Sequence, residues 1–280
     1  LAIIALVGII LLASGYRYIT KDGVKFSGHV KNGQPVDGTV HYSDGITGKL
    51  TKDENSAAGK IVYSTGDVFE GTLNGIVREG KGVITYKNGD RYEGDFAADK
   101  LTGEAVYTGA TGAVYTGSVV EGKPNGKGKY VFADGSYYYG EWLDGKRNGV
   151  GEEHYPDGSY YYGAFADDKR TGSSEITVTL ENGMVYTGKN KFTFSNGDTY
   201  VGDYLNGKRN GSGKYTWASG QSYDGAWVGD VMEGAGTYDF GNGKAPYVGT
   251  FSGGQIAETE NGAAGTPESS DAGAANASGT

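Results

Sequence analysis

The sequence predicts an all-β fold: an elongated, single-layer antiparallel array of β-hairpin repeats with a period of about 23 residues. Three observations predict it. A large residue followed two places later by Gly recurs at Ile46, Phe69, Tyr92, Tyr115, Tyr138 and Tyr161, and every interval is 23. Around each of these, large side chains alternate with small or polar ones, the period-2 pattern of a strand with one apolar face. Asp-Gly and Asn-Gly pairs punctuate the units, and such pairs suit tight turns between antiparallel strands. Self-similarity at this period marks an array in which each unit packs on its neighbours.

The unit from Tyr115 to Tyr137 serves as reference. Tyr115, Gly117 and Val119 alternate along a first strand, and Gly128, Tyr130 and Phe132 along a second. A Gly-rich connection lies between them, and Asp134-Gly135 closes the unit. The fifth position of each unit adds a large residue on the Tyr face: Leu50, Leu73, Phe96, Val119, Trp142, Phe165, Tyr204, Trp227 and Phe251. The second strand adds Ile61, Ile84, Tyr107, Tyr130, Tyr215 and Tyr238. Tyr92, Tyr115, Tyr138, Trp142, Tyr161, Tyr200, Tyr215, Trp217, Tyr223 and Trp227 are thus the expected groove aromatics, and their first role is to form the core. The Gly beside each Tyr leaves a gap in which a ring can lie flat, and cross-strand ring pairs add up to ~1 kcal/mol each.

The period breaks once. Tyr161 to Tyr186 is 25 residues and Tyr186 to Tyr200 only 14, so a stunted hairpin is expected from Tyr186.

These residues resemble the MORN repeat (membrane occupation and recognition nexus). The run Tyr138-Tyr-Gly140-Glu-Trp142-Leu-Asp-Gly145-Lys146-Arg-Asn-Gly149-Val-Gly151 carries the resemblance nearly throughout, as does Tyr200 to Tyr215. The resemblance covers roughly residues 26 to 252. It implies hairpins with a groove used for protein or lipid contact, and no enzymatic activity or cofactor. Aromatic hairpin repeats of similar length also bind glycans or choline, which remains an alternative, although Trp occurs only at 142, 217 and 227.

Composition agrees with a repeat array. Gly reaches 52 residues of 280, above the usual ~7 %, and its placement is periodic. Without Cys, no disulfide or thiol chemistry exists. A net charge of −9 argues against a nucleic-acid partner, which calls for a dominant basic face. His29, His41 and His154 fall in different units without metal-ligand spacing, and no nucleophile or phosphate-loop motif is present.

Three regions follow. Residues 1–15 read as an apolar signal peptide or membrane anchor; beginning at Leu instead of Met, they suggest an N-terminal truncation. As a helix, Leu1 to Ala13 spans roughly 20 Å, short of a ~30 Å hydrocarbon core but suited to a signal peptide. Either reading places the chain on a membrane or exports it to the cell envelope, with its face undecided. Residues 16–252 form the array. Residues 253–280, rich in Ala, Gly, Ser and Glu, read as a disordered acidic tail.

Two surface features stand out as contact candidates. Lys100, Lys123, Lys146, Lys169 and Lys208 share one repeat position, with Arg147, Arg170 and Arg209 beside three of them. Successive hairpins advance by two strand spacings, about 9.6 Å, so the first four lysines are expected to line a sheet edge that either keeps the array soluble or takes anionic lipid or an acidic partner. Tyr137, Tyr139, Tyr160 and Tyr162 flank the repeat tyrosines and are expected on the opposite face, as a patch for a protein partner or self-association.

Overall fold

The computed structural model describes residues 9–12, 15–19 and 23–257, and the chain divides into two compact units, residues 1–148 and 149–280. The apolar segment 1–15 lies outside the described residues except for backbone at Ile9–Leu12 and Gly15, and the expected tail lies outside them from residue 258. Among the described residues every regular element is a strand, and no helix is long and apolar enough to cross a membrane.

In the first unit, antiparallel hairpins follow one another in chain order. The strand Ile9–Leu12 pairs with Gly15–Ile19, which pairs with Lys25–Lys31. The reference hairpin joins Val114–Val120 to Lys123–Val131 through Glu121 and Gly122. Both turn residues have positive φ, 50° and 79°, as a two-residue turn matched to the strand twist requires. The connection is therefore shorter than the sequence suggests: Lys123 to Gly126 belong to the second strand, and the register shifts between Gly117 and Val119 where they pair. A longer turn over Asp134 and Gly135 leads to Tyr137–Leu143, closed by Phe132 N–H donating to the Ser136 carbonyl at 2.8 Å.

Register explains the repeat. Tyr115 faces Tyr130, which faces Tyr138, and Gly117 faces Gly128, which faces Gly140. Glycines thus align across these strands, and the Tyr115 ring lies over its own pair. Elsewhere in the unit Gly94 faces Ala105, and Gly48 faces Val40 and Tyr63, so that Leu50 and not Ile46 stands opposite Ile61. A Cβ placed on Gly128 would come within 2.6 Å of ring carbons of Tyr115. The gap seen in the sequence is filled by the ring of the same strand. Tyr115 Oη then donates to the Ser118 carbonyl at 2.7 Å, and Tyr138 to that of Glu141 at 2.9 Å. Fifth-position rings stand edge-on between successive tyrosines: Trp142 is 5.2 Å from Tyr138 and 5.6 Å from Tyr115. Its indole N–H donates to the Gly128 carbonyl at 3.0 Å, so the buried polar atom is satisfied.

The second unit follows the same rules from Gly149 onward. Gly151 faces Gly163, and Gly202, Gly213, Gly225, Gly236 and Gly249 align in order. Trp227 stands edge-on to Tyr223 and Tyr200 and donates to the Gly213 carbonyl at 2.9 Å.

Here the expected stunted hairpin gives way to a different arrangement. Tyr160–Ala166 pairs first with Lys169–Thr171 and then with Lys191–Thr193, which in turn pairs with Thr199–Leu205. Phe192 faces Tyr161 on one side and Tyr200 on the other, the place Tyr215 holds between Tyr200 and Tyr223. Tyr161 to Tyr200 is therefore a single repeat, interrupted by sixteen extra residues. The insertion makes its own two-stranded hairpin, Ile176–Thr179 with Val185–Gly188, outside the main sheet. Tyr186-x-Gly188 matches the repeat only locally: its Oη donates to the Lys189 carbonyl at 2.6 Å, like a repeat Tyr, yet it starts no unit of the sheet.

Asn190 closes the interruption. It stands where other units place Gly and is almost fully buried. Its Oδ1 accepts from Ala164 N–H at 2.9 Å, and its Nδ2 donates to the carbonyls of Thr171 and Gly172 at 2.9 and 2.8 Å. One side chain thereby meets backbone groups that a continuous strand would have paired.

Candidate protein-interaction face

Among the described residues, the rings of the first unit form a single layer with no second sheet of that unit packed on it. Two adjoining depressions lie on it, with volumes near 580 and 560 Å³. Tyr86, Tyr92, Tyr107, Tyr115 and Tyr130 line the first, with Asp67, Asp90, Leu101 and Pro124. Tyr42, Tyr63, Ile84 and Arg78 line the second. Of the expected groove aromatics, Tyr92 and Tyr115 line the first depression, while Tyr138 and Trp142 are buried within the ladder of that unit. In the second unit Tyr161, Tyr200, Tyr215, Tyr223 and Trp227 are buried, and Trp217 is half-buried, 4.7 Å from Tyr215.

Turn carboxylates brace this face. Asp90 accepts from Ala110 N–H at 2.8 Å and from Tyr107 Oη at 2.7 Å, tying its own turn to the next. Asp67 accepts from Lys87 N–H at 2.9 Å. In the second unit Asp198 accepts from Ala218 N–H and Tyr215 Oη at 2.7 and 2.6 Å. The Ala110 N–H, then the Tyr107 and Asn88 donors, hold the Asp90 carboxyl below its ordinary range, so it is anionic at neutral pH. The same hydrogen bond to Asp90, with burial, pushes Tyr107 up to about 12, and burial pushes Tyr92 up to about 12. Both hydroxyls therefore stay protonated, and the rings remain neutral π-faces.

The expected basic edge separates into two sets. Lys100, Lys123, Lys146, Lys169 and Lys208 each open the second strand of a hairpin and are exposed, Lys100 in an ion pair with Glu121. The arginines do not join them. Arg209 lies over Trp227 at 4.4 Å and Tyr215 at 5.4 Å, its Nε donating to Asp230. Arg170 lies over Tyr161 at 4.5 Å and Phe192 at 4.7 Å and pairs with the buried Glu153 at 2.7 Å. Glu153 raises the pKa of Arg170 although burial alone would lower it. Arg147 reaches Tyr138 at 5.8 Å. Arg78, not singled out from the sequence, lies over Phe96 at 5.3 Å with Nε 3.0 Å from Asp99. The next residue along the strand points to the other face, so Arg and Lys at adjacent positions part company.

The flanking tyrosines fall in both units. Tyr137 and Tyr139 are half-buried in the first, with Lys129 Nζ 4.3 Å from the Tyr137 ring centre. In the second, Tyr160 stacks on His154 and sits 4.9 Å from Tyr162. The inserted hairpin lies against this group: Tyr186 is 5.6 Å from Tyr162, and Glu181 N–H donates to the buried Glu152. Among the described residues no group of three or more His, Cys, Asp or Glu is placed to hold a metal ion.

Comparison with known proteins places these repeats. A family model described as the MORN repeat matches at residues 69–91, 92–114, 115–137, 138–160, 200–222 and 223–245. The unmatched stretch between 160 and 200 is the repeat that carries the insertion. A search of curated proteins finds no match. Among solved structures, the SAS-4 (dCPAP) TCP domain of Drosophila melanogaster, in complex with a proline-rich motif of Ana2 (dSTIL), is 16% identical with TM-score 0.32, covering 65% of this chain and 96% of that one. The wild-type TCP10 domain of Danio rerio CPAP is 12% identical with TM-score 0.33, covering 84% and 99%. At these TM-scores the likeness carries no argument about function.

Proposed function

Because this chain is a MORN-repeat protein, we propose that it is a non-catalytic interaction scaffold that binds a protein partner on its aromatic face. The observation that carries this reading is the uncovered Tyr-lined depression of the first unit, bounded by Tyr86, Tyr107 and Tyr130. Rings held rigidly by a backbone ladder offer large contact area at little entropic cost, the property of interaction hot spots. Peptides selected from a random display library on the parent chain are expected to lose binding to a folded Tyr130→Ser, Phe132→Ser variant. Equal binding to both would remove the aromatic face from the proposal.

Membrane attachment or export is the second part of the reading, supported by the apolar run Leu1 to Ala13. Mass spectrometry of the mature N-terminus tests it: a start near Tyr16 means cleavage, an intact segment means an anchor. Anionic-lipid contact through the Lys row has weaker support, since the arginines face the rings and Lys100 is paired. Charge reversal at Lys146, Lys169 and Lys208 is expected to abolish salt-sensitive liposome sedimentation if that row binds lipid, and unchanged sedimentation rejects it.

A further inference from the structure

In the repeat array, one position decides whether a cation lies over the rings of the aromatic face. It is the second residue of the returning strand, opposite the fifth-position residue: Arg78 opposite Leu73, Leu101 opposite Phe96, Pro124 opposite Val119, Arg170 opposite Phe165, Arg209 opposite Tyr204 and Met232 opposite Trp227. Arg147 holds the same place in sequence. Where Arg occupies the position, its guanidinium covers rings of the ladder, at 5.3 Å over Phe96, 4.5 Å over Tyr161 and 4.4 Å over Trp227. Arg78 and Arg209 are anchored by Asp99 and Asp230, twenty-one residues on, and both aspartates have positive φ.

At Leu101 and Pro124 both halves of the device are missing. The residues twenty-one places on are Gly122 and Gly145, whose N–H groups donate to the Leu101 and Pro124 carbonyls at 3.0 and 2.9 Å, just as Asp99 and Asp230 donate to Arg78 and Arg209. The backbone is the same, but the cation and its carboxylate are gone. The 580 Å³ depression lies over this place, lined by both Leu101 and Pro124. Two of the three rings that Arg209 covers, Tyr200 and Tyr215, have counterparts here: Tyr92 and Tyr107 beside Leu101, Tyr115 and Tyr130 beside Pro124; the place of Trp227 is taken by Val119 and Trp142. Asp67 and Asp90 also line it against one cation, Lys87.

We propose that this depression takes guanidinium groups from a partner, so that the occupant is an arginine-bearing peptide segment of another protein. The inference rests on the protein-scaffold reading and names the chemistry of its partner. Guanidinium is suited because it is planar, weakly hydrated and attracted to the negative faces of neutral tyrosines, whereas the compact lysine ammonium gives up more hydration. The two open slots lie on successive hairpins, about 9.6 Å apart by two strand spacings. One turn of polyproline II advances about 9.3 Å over three residues, so an Arg-x-x-Arg segment in that conformation places one guanidinium in each slot.

The test titrates the full chain with a synthetic capped Gly-Arg-Pro-Pro-Arg-Gly peptide by calorimetry at physiological ionic strength. A variant carrying Leu101→Arg, Gly122→Asp, Pro124→Arg and Gly145→Asp fills both slots from within and leaves the net charge unchanged, so nonspecific attraction to an acidic protein is held constant. The expected result is binding to the parent and at least about tenfold weaker binding to the filled variant, the size of a lost guanidinium–ring contact, with a melting temperature not below the parent's. Equal affinity for parent and filled variant overturns the proposal, as does a Lys-Pro-Pro-Lys peptide binding as tightly as the arginine peptide. Absence of binding to the parent also overturns it, while display-selected peptides that still need Tyr130 and Phe132 would leave the scaffold reading standing. If the filled variant fails to fold, Tyr130→Leu decides: it keeps an apolar side chain and removes the π-face, so unchanged affinity overturns the proposal and a clear loss supports it.

Discussion

Tyr161 meets Tyr204 edge-on, with ring centroids 5.4 Å apart, although 43 residues separate them. The same contact joins Tyr115 to Trp142 and Tyr200 to Trp227 across 27 residues. The sixteen additional residues leave the sheet and return without disturbing the ring ladder, because Phe192 resumes the pairing opposite Tyr161. Replacing residues 173–189 by a single Ser, together with Asn190→Gly, recreates an ordinary repeat. The shortened chain is expected to fold with a cooperative melt within a few degrees of the parent; loss of the transition would show that the inserted hairpin is needed for the sheet.

Asn190→Ala in the full-length chain has a larger expected effect. It removes the partner of Ala164 N–H and of the Thr171 and Gly172 carbonyls in a buried place. Unsatisfied buried groups of this kind predict a loss of about 2–4 kcal/mol in urea unfolding. A loss below about 0.5 kcal/mol would mean that water replaces the amide.

Gly236→Ala tests the ring bed. A Cβ there would meet Tyr223 ring atoms at 2.5 to 2.7 Å, and that ring is held by its hydroxyl to the Ala226 carbonyl at 2.9 Å. Overpacking predicts destabilisation of about 1–3 kcal/mol in chemical denaturation. Parent-like stability would show that the ring swings aside freely.

Arg209→Ala strips the cation from Trp227 and Tyr215 and leaves Asp230 without its guanidinium. The expected cost is about 1–2 kcal/mol in urea unfolding, from lost ring contact and lost cover by the aliphatic stem. Arg209→Lys is expected to restore only part of it, because an ammonium cannot lie flat on the ring while reaching both the Asp230 carboxylate and carbonyl.

Asp90→Asn is expected to lower the melting temperature at pH 7, with the difference shrinking in acid. The folded carboxyl titrates below its ordinary value of 3.8, chiefly through the Ala110 N–H. Its contribution is therefore present above that value and is lost as pH falls through the lower folded pKa. Melting curves of both proteins at pH 7 and pH 3 check this; a gap that widens in acid would contradict the sign.

Much of this protein is determined by its sequence alone. The 23-residue interval, the Tyr-x-Gly alternation and the turn pairs specify hairpins and assign Tyr115, Tyr138, Trp142, Tyr200 and Trp227 to one face, since period 2 is a local property of the backbone. Tertiary structure decided the rest. Tyr186-x-Gly188 has the local signature of a repeat, yet strand pairing between distant residues leaves it out of the sheet and seats Phe192 opposite Tyr161. Lys208 and Arg209 read in sequence as one basic edge, but adjacent residues on a strand point to opposite faces, and Arg209 ends on Trp227. The open slots at Leu101 and Pro124 likewise exist only by contrast with Arg78, Arg170 and Arg209, whose guanidiniums reach rings on strands that folding brings alongside. Spacing along a chain selects a face, and the neighbours across the sheet select what covers it.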